Sequence, residues 1–469
     1  MASNLNSNTL MTAEVKTLIE KWKPVLDHKD LPKITDPTGR MDIHRYAQTA
    51  KMLENQEKYL KETAPSNVMG GSAVDTRTGN IQGYDPVLIS MVRRALPNLV
   101  AYDLCGVQAM SAPVGLIFAL RAKSGAPGTM LNGTDEDAFL VEANGGLSGS
   151  STVAGTQYSD PLVAFSSSSL SNRYNSAGDI SLMTNGGMST ATGEGNIANE
   201  MSFDIDRIAV TAKTRNLKAS YSIELAQDLK NLHGLDAEAE LVNILSAEVL
   251  AEINREVIRT INITAKAGCK SGQTTNPGIF DLTLDAAGRW SQEKFAGLAF
   301  QMQREANVIA KETRRGKGNV LLCSSDVADA LTSAKLLNAY NPGVNANLTV
   351  DDTGNTYVGT MGKMKVFIDP YANNTTTDQN YATVIYRGSN PIDAGIFYCP
   401  YVPLQLVRAV DPLSLQPIIG FRTRYGIVSN PFVNSTTISE ANAGGLFPNT
   451  NQYFRIMKII NLLHTASAQ

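Results

Sequence analysis

The sequence DAEAELVNILSAEVLAEINREVIRTI, residues 236–261, decides the fold of this chain. An α-helix turns once in about 3.6 residues, so apolar residues at every fourth position form one stripe that winds slowly around its axis. At about 1.5 Å per residue the helix would span about 40 Å, roughly the width of a domain. We predict that it is a mechanical strut. The stripe consists of Leu241, Leu245, Val249, Ile253, Val257 and Ile261.

The ends of this helix are also marked in the sequence. Asp236 suits the N-cap, where its carboxylate can accept a hydrogen bond from a free backbone N–H group. Gly234, preceded by His233, is typical of the end of an earlier helix that begins near Tyr221. We therefore predict two successive helices that are separated at Gly234.

The face opposite the apolar stripe is charged. Glu248, Glu252 and Glu256 occur at i, i+4 and i+8, a spacing that suggests a carboxylate cluster. Arg255 and Arg259 lie among them at distances that favour ion pairs. We therefore interpret this face as a solvated or subunit-facing charged surface and not as a reactive site.

Composition excludes several classes of protein. A length of 469 residues is enough for two or three domains and a large core. A net charge of −3 argues against a nucleic-acid-binding protein, although a near-neutral wall around DNA is compatible with it. No apolar stretch reaches the length of a membrane span, and residues 1–8 do not form a signal peptide, so we expect maturation in a cytosol.

Motifs for catalysis and ligand binding are weak throughout. The four histidines are scattered, and no Gly-x-Ser-x-Gly elbow is present. Residues 314–318 form a basic turn and not a phosphate loop, and residues 351–355 lack the later glutamate of a calcium loop. We predict no catalytic residue, metal site or cofactor, and four free cysteines that act as small buried hydrophobes. These residues are His28, His44, His233 and His464, with Cys105, Cys269, Cys323 and Cys399.

Residues 1–62 differ from the rest of the chain, because they hold 10 basic and 9 acidic side chains and only one glycine. Their pattern predicts a helix that Thr12 caps, followed by a second helix over residues 42–62. Residues 63–84 are nearly uncharged and rich in small residues, which is typical of a flexible segment. A boundary therefore follows Glu62.

A two-stranded arm is predicted next. Residues 114–122 and 203–220 are extended stretches that would pair with each other. Residues 124–200 are rich in Gly, Ser, Thr and Asn, and their scattered aromatic residues favour a small β-rich insertion with long loops. An isolated ribbon is marginal in water, so in an assembling protein the arm would lie on a neighbouring subunit.

Helices and strands are mixed without regular alternation elsewhere, which indicates an α+β fold. Helices are predicted over residues 86–98, 291–311 and 325–337. Strands are predicted over residues 104–110, 319–323, 365–368, 382–386, 395–402 and 418–424, and a final apolar segment covers residues 453–463.

Several long strings carry a family resemblance. They are MVRRALPNLVAYDLCGVQ at 91–108, SIELAQDLK at 222–230 with 237–241, EINREV at 252–257, QPIIGFRTRYGI at 416–427 and NPF at 430–432. The chain resembles the major capsid protein family of T-even-type contractile-tailed bacteriophages over about residues 86–123, 208–262 and 319–432. Residues 124–200 depart from the family's pattern.

The resemblance implies the capsid shell fold of tailed phages and herpesviruses. This α+β fold has a peripheral domain with a long spine helix and a long β-sheet, an axial domain, an extended β-arm and here an insertion in the arm. The implied boundaries are 1–62 for a cleavable helical propeptide, 63–85 for an N-terminal arm, 86–123 for a helix and the start of the β-arm, 124–202 for the insertion, 203–317 for the return strand, spine helix and peripheral domain, 318–412 for the axial domain, and 413–469 for C-terminal peripheral strands.

The resemblance also implies proteolytic maturation, because a phage protease cuts the family's precursor after an apolar-x-Glu sequence. Leu60-Lys-Glu62 precedes Thr63, so we expect cleavage between Glu62 and Thr63. The sequences at 18–20, 140–142, 250–252 and 438–440 also fit the pattern. The change in composition selects Glu62, because a protease needs an extended, exposed segment.

The function that the resemblance implies is structural. The chain would form hexameric capsomers of a procapsid and then of an icosahedral or elongated mature shell, located in the virion and assembled in the host cytoplasm. It would enclose double-stranded DNA without specific binding. Its partners would be further copies of itself, the capsid vertex protein, scaffold and core proteins, the prohead protease, the host chaperonin with a phage-adapted lid, and possible outer decoration proteins. The alternatives are the vertex protein that forms pentamers, a nanocompartment of the same fold, and a cytosolic enzyme.

Overall fold

The computed structural model describes residues 13–28, 34, 42–63, 99–125, 136–137, 190–195, 200–269, 274, 276–286, 288, 290–339, 356–372, 380–388, 393–411, 413, 416–433 and 445–462. Within these ranges the helices are α1 (Ala13–Leu26), α2 (Ile43–Thr63), α3 (Ala101–Leu104), α4 (Thr190–Gly193), α5 (Ile223–His233), α6 (Ala237–Thr264), α7 (Ser291–Thr313) and α8 (Ser325–Ser333). The strands are β1 (Gly106–Val107), β2 (Val114–Gly125), β3 (Glu136–Asp137), β4 (Glu200–Thr211), β5 (Lys213–Ser220), β6 (Ala265–Ala267), β7 (Ile279–Asp281), β8 (Val320–Cys323), β9 (Asn338–Ala339), β10 (Thr356–Met361), β11 (Met364–Ile368), β12 (Asn380–Ile385), β13 (Ile396–Val410), β14 (Pro417–Ser429) and β15 (Asn451–Ile460).

The chain divides into two compact units. The first comprises Met1–Ile117, Ile208–Ala310 and Arg315–Gln469, and the second comprises Phe118–Arg207 and Lys311–Arg314. Helices and sheets occur together in the first unit, so the predicted α+β class is confirmed.

The predicted spine helix is confirmed as α6. The side chain of Asp236 caps it by accepting a hydrogen bond from the Glu238 N–H group at 3.1 Å. Gly234 ends α5 in the left-handed conformation, with φ of 67°, which a residue without a side chain adopts at no steric penalty. Five of the six stripe residues are buried, and only Leu241 is half-buried.

The first sheet has the order β1-β13-β14-β5. Strands β13 and β14 are antiparallel over their whole length, from the pair Ile396 and Ser429 to the pair Val410 and Pro417. On the far side of β14, β5 runs antiparallel from Ser220 opposite Ile418. The two-residue strand β1 pairs in parallel with β13.

The second sheet has the order β6-β15-β12-β8-β11-β10-β9, with β7 also paired to β15. All four residues of β8 are buried, as expected of a central strand that is covered on both faces. Parallel pairing of β8 with β11 and antiparallel pairing with β12 make this a mixed sheet.

The predicted boundary at residue 412 does not separate these sheets. Strand β13, predicted to belong with residues 318–412, pairs instead with β14 and β1 in the first sheet. Strand β15, predicted among the C-terminal peripheral strands, pairs with β12 in the second sheet, with Asn380 opposite Ile459. Strand pairing between distant residues leaves little trace in local sequence, so the sequence does not show which sheet either strand joins.

Residues 203–220 were predicted to form one strand of the arm, and this prediction is wrong in part. Only β4 lies beside β2, in a sheet of order β3-β2-β4. The stretch breaks at Ala212, whose N–H group donates to Pro113 O at 2.9 Å, and β5 then pairs with β14. Both parts share alternating polar and apolar residues, so the pattern alone does not reveal a change of partner.

Other differences concern shorter elements. The predicted strand over 104–110 starts too early, because Leu104 ends the helical turn α3 and β1 begins at Gly106. The predicted helix over 325–337 ends at Ser333. Strand β10 was missed. The predicted helix over 86–98, most of the insertion at 124–202 and the arm at 63–85 except Thr63 lie outside the described residues.

Truncation of the apolar stripe should destabilise the chain. Ile253 is 3% exposed and Ile244 is 62% exposed on the same helix. We expect Ile253→Ala to lower the free energy of unfolding by about 3 kcal/mol, because it leaves a cavity in the core. Ile244→Ala is the matched control and should change it by less than about 0.5 kcal/mol. Urea denaturation of the unassembled chain measures both values, and equal losses would contradict the assigned orientation of α6.

Candidate assembly surfaces

The leader, which we define as residues 1–62, is docked on the remainder of its own chain. Trp22, Leu26 and Leu53 of the leader belong to the same hydrophobic cluster as Tyr102 and Leu104. All of these side chains are buried. The sequence indicated a separable segment, and nothing in its composition indicated that it shares a core with the rest.

A buried ion pair also joins the leader to the chain beyond it. Arg45 Nη2 donates to Asp103 Oδ1 at 2.5 Å, and the two side chains are 5% and 1% exposed. The guanidinium group of Arg45 also lies 5.5 Å from the centre of the Tyr102 ring, within the range of a cation–π contact. Removal of one member of such a pair leaves the other charge buried and uncompensated.

A second polar contact lies farther along α2. Gln48 Oε1 accepts a hydrogen bond from the Ala109 N–H group at 2.8 Å, and Lys51 Nζ donates to Ala109 O at 2.6 Å. Asn55 Nδ2 donates to Met110 O at 2.7 Å. One face of the helix thus pairs with the backbone of the segment that leads into β2.

The predicted cleavage residues, Glu62 and Thr63, are the last two residues of α2. The helix therefore ends one residue later than predicted. Two of the other matching sequences, 18–20 and 250–252, lie inside α1 and α6, where hydrogen bonds hold the backbone in helical form. The remaining two lie outside the described residues. A helix end frays more readily than a helix interior, so this geometry favours the bond after Glu62 among the described candidates.

The ribbon, which we define as β2 and β4, exposes one apolar face. Alternate residues of β2 and of β4 are exposed. The buried residues that alternate with them are Ile117 and Ala119 in β2, and Ile208 and Val210 in β4. Phe203 is 73% exposed, which is unusual for so large an apolar side chain. Adjacent exposed apolar residues of this kind mark interaction surfaces. They are Val114, Leu116, Phe118, Leu120, Met201, Phe203 and Ile205.

The charged face of α6 forms ion pairs within the chain. Arg215 of β5 donates to Glu252 at 3.0 Å and to Glu256 at 2.6 Å. The Tyr425 hydroxyl group bonds to the same Glu256 carboxylate, and burial together with that carboxylate raises the pKa of Tyr425. These contacts fasten the helix to the first sheet.

Arg255 does not pair with the neighbouring glutamates but fastens α6 to a different element. It donates from Nη1 to Asp369 Oδ2 at 2.9 Å, just beyond β11, and Asp369 also accepts a hydrogen bond from Tyr381 at 2.5 Å. Glu248, Glu252 and Arg259 are exposed, as predicted for a solvated charged face, but the predicted pairing of Arg255 with the neighbouring glutamates is wrong. Its partner, Asp369, is distant in sequence, as is Arg215, the partner of Glu256.

The remaining candidates offer little chemistry. The four predicted cysteines are free and buried, as expected, and burial raises the pKa of each thiol to about 12. His28, His44 and His233 lie on separate segments, and His464 and residues 351–355 lie outside the described part. Among the described residues, no cluster of acidic, histidine and cysteine side chains suits a metal ion. A search of the described helices finds none that could cross a membrane.

Comparison with known proteins defines the class of the chain. The model of the family Major capsid protein Gp23 matches residues 81–459. The major capsid protein of Enterobacteria phage T6 is 37% identical over 92% of this chain and 98% of its own length. The major capsid protein of Serratia phage KSP90 is also 37% identical, over 97% of this chain and 100% of its own length. The matches define a structural protein of a phage capsid.

The chain belongs to the Major capsid protein Gp23 family. It is thus a component of the virion capsid, and its relatives are structural proteins, which are not enzymes. The capsid vertex protein of Enterobacteria phage T4 is 28% identical over 51% of this chain and 55% of its own length. Among solved structures, the capsid of Myoviridae Phage XM1 aligns with a TM-score of 0.39 and 9% identity over 76% of this chain and 90% of that chain.

Loss of the buried leader contact should be costly. We expect Arg45→Met to lower the free energy of unfolding of the unassembled chain by about 3–5 kcal/mol, because Asp103 is then left buried and uncompensated. Lys21→Met is the matched control, since Lys21 is half-exposed and its pairing with Glu54 is worth about 0–1 kcal/mol.

A double variant separates charge from packing. Addition of Asp103→Leu to Arg45→Met should restore part of the lost stability, because no unpaired charge remains. Equal losses of unfolding free energy for Arg45→Met and Lys21→Met in denaturant titrations would show that the buried pair contributes no more to stability than the exposed one.

Proposed function

We propose that this chain is the precursor of the major head protein of a phage, and that it assembles as hexameric capsomers into a procapsid and then a mature shell around double-stranded DNA. The observation that carries the proposal is the exposed apolar face of the ribbon. A ribbon of this kind is marginal alone, and burial of its apolar face on a neighbouring copy would stabilise both. Because each copy would offer its ribbon to the next, the contacts are head-to-tail and close into a ring.

The shell itself needs little chemistry of its own. A near-neutral charge balance avoids tight, nonspecific attachment of the inner wall to the phosphates of DNA. Membership of the Gp23 family supports assembly with a vertex protein, scaffold and core proteins, a prohead protease and a host chaperonin with a phage-adapted lid. Outer decoration proteins are further candidates.

The identity pattern favours the hexamer-forming protein over the vertex protein. Major capsid proteins match at 34–37% identity over more than nine-tenths of this chain, whereas the vertex protein matches about half of it at 28%. A nanocompartment of the same fold would not need a cleavable, charged leader. A cytosolic enzyme would require a polar reaction centre.

The ribbon face should be essential for assembly. We expect Phe203→Glu to lower the yield of shells or tubes at least about tenfold, since a charge replaces an apolar contact in a buried interface. Leu284→Glu is the matched control, because Leu284 is 66% exposed and belongs to neither ribbon strand. Electron microscopy of chain assembled with its scaffold counts the particles, and circular dichroism checks that both variants are folded. Normal particle yield with Phe203→Glu would refute a role of this face in assembly.

Processing should produce a new N-terminus. We expect protein from DNA-filled particles to begin at Thr63, and Glu62→Gln to block the cut because the protease requires a glutamate there. N-terminal sequencing of particle-derived protein distinguishes the outcomes. An intact Met1 in filled particles would exclude processing, and a start after Glu20 would assign it to the other leader sequence.

A further inference from the structure

A sheet edge lies where the leader contacts the ribbon root, which we define as residues 108–117 and 208–212. The backbone beyond β1 continues beside β13, because Gln108 N–H donates to Tyr398 O at 3.0 Å and Met110 N–H donates to Pro400 O at 2.9 Å. Successive residues of an extended strand point their backbone groups in opposite directions. Both backbone groups of Ala109 therefore face away from β13.

The leader occupies this edge with side chains instead of a strand. Gln48 Oε1 accepts a hydrogen bond from the Ala109 N–H group, and Lys51 Nζ donates one to the Ala109 carbonyl oxygen. Both backbone groups that face away from β13 are therefore hydrogen-bonded. Asn55 bonds to Met110 O and also, at 3.1 Å, to Tyr401 O of β13. The spacing of i, i+3 and i+7 places all three side chains on one face of α2.

The Lys51 contact is sheltered from water. Lys51 is half-buried, and burial lowers the pKa of its ammonium group. A charged donor to a carbonyl group is stronger than a neutral one, so Lys51 is the firmest of the three contacts.

The ribbon root has only a small core of its own. This second hydrophobic cluster is separate from the main core and contains Met110, Ile117, Ile208, Val210, Phe397, Cys399 and Val428. A cavity of about 190 Å³ lies beside it, lined by Lys51 of the leader and by residues of the root that include Gln108, Met110 and Gly115. A small hydrophobic cluster beside a cavity restrains the ribbon root only weakly. The contacts with the leader therefore provide a large share of the restraint on the root.

We propose that α2 is a removable cap on this sheet edge, which holds residues 108–110 and hence the ribbon root in place until the leader is cut away. The inference rests on the proposed function, in which cleavage after Glu62 detaches the leader. In the precursor the ribbon root is locked. Loss of the leader opens both backbone groups of Ala109 and frees the root to rearrange during maturation.

Hydrogen–deuterium exchange of the uncut chain tests the cap directly. The amide groups of residues 108–110 report on the edge, and single variants Gln48→Leu, Lys51→Met and Asn55→Leu each remove one contact. We expect each to accelerate exchange there about fivefold to tenfold, since one hydrogen bond contributes about 1 kcal/mol. Lys58→Met is the matched control, because it removes the same charge from an exposed position of α2 and should leave the rates unchanged.

The outcomes separate the cap from the processing. Protection of the amides within α1 and α2 shows that the leader of each variant is still folded. If residues 108–110 exchange equally fast in Lys51→Met and Lys58→Met with the leader folded, the cap is refuted, whatever the protease does. If the rates differ but particles retain Met1, the cap stands and the proposed processing fails. In particles cut at Thr63 the same amides should exchange at least as fast as in the variants, and unchanged protection there would also overturn the proposal.

Discussion

Burial of the apolar stripe of α6 against both sheets is the constraint on which the rest of the structure depends. The helix packs on β5 and β14 of the first sheet and on β15 of the second. Its buried Asn254 accepts a hydrogen bond from the Val100 N–H group at 3.0 Å, so the segment after the leader is tied to the same helix. Two ion pairs then fix the rotation of the helix about its axis, because each can form in only one orientation of the helix. Arg215 of β5 pairs with Glu256 of the helix, and Arg255 of the helix pairs with Asp369. The strut predicted from a four-residue period is thus the element that both sheets share.

Local patterns predicted elements well and pairings poorly. The caps at Asp236 and Gly234, the buried strand β8 and the stripe of α6 follow from residues that lie within one or two turns of each other. The partner of β15 and the switch at Ala212 depend on strands more than fifty residues away, and the sequence does not mark them. The candidate site divides in the same way. The composition change at Glu62 was visible, whereas the docking of Gln48 and Lys51 was not, because polar residues on a helix normally indicate a solvated face.

The ribbon shows how one alternating pattern serves two purposes. Inward residues such as Ile208 and Val210 complete a small core, and outward residues such as Phe118 and Phe203 remain exposed. A strand buried on one face normally carries polar residues on the other. Apolar residues on both faces therefore support the proposed burial of the second face on a neighbouring copy.

The leader combines two kinds of contact, and they suit different stages. Apolar residues such as Trp22 and Leu53 gain stability from burial and help the precursor to fold as one body. The contacts of α2 with the ribbon root are polar, so the proposed removal of the leader would expose the N–H and carbonyl groups of Ala109, which can then bond to water. A leader bound there through apolar contacts would instead leave an exposed hydrophobic patch beside the ribbon after its removal. Hydrogen bonds from side chains to a sheet edge are specific, and water can replace them easily, so they suit the proposed temporary restraint.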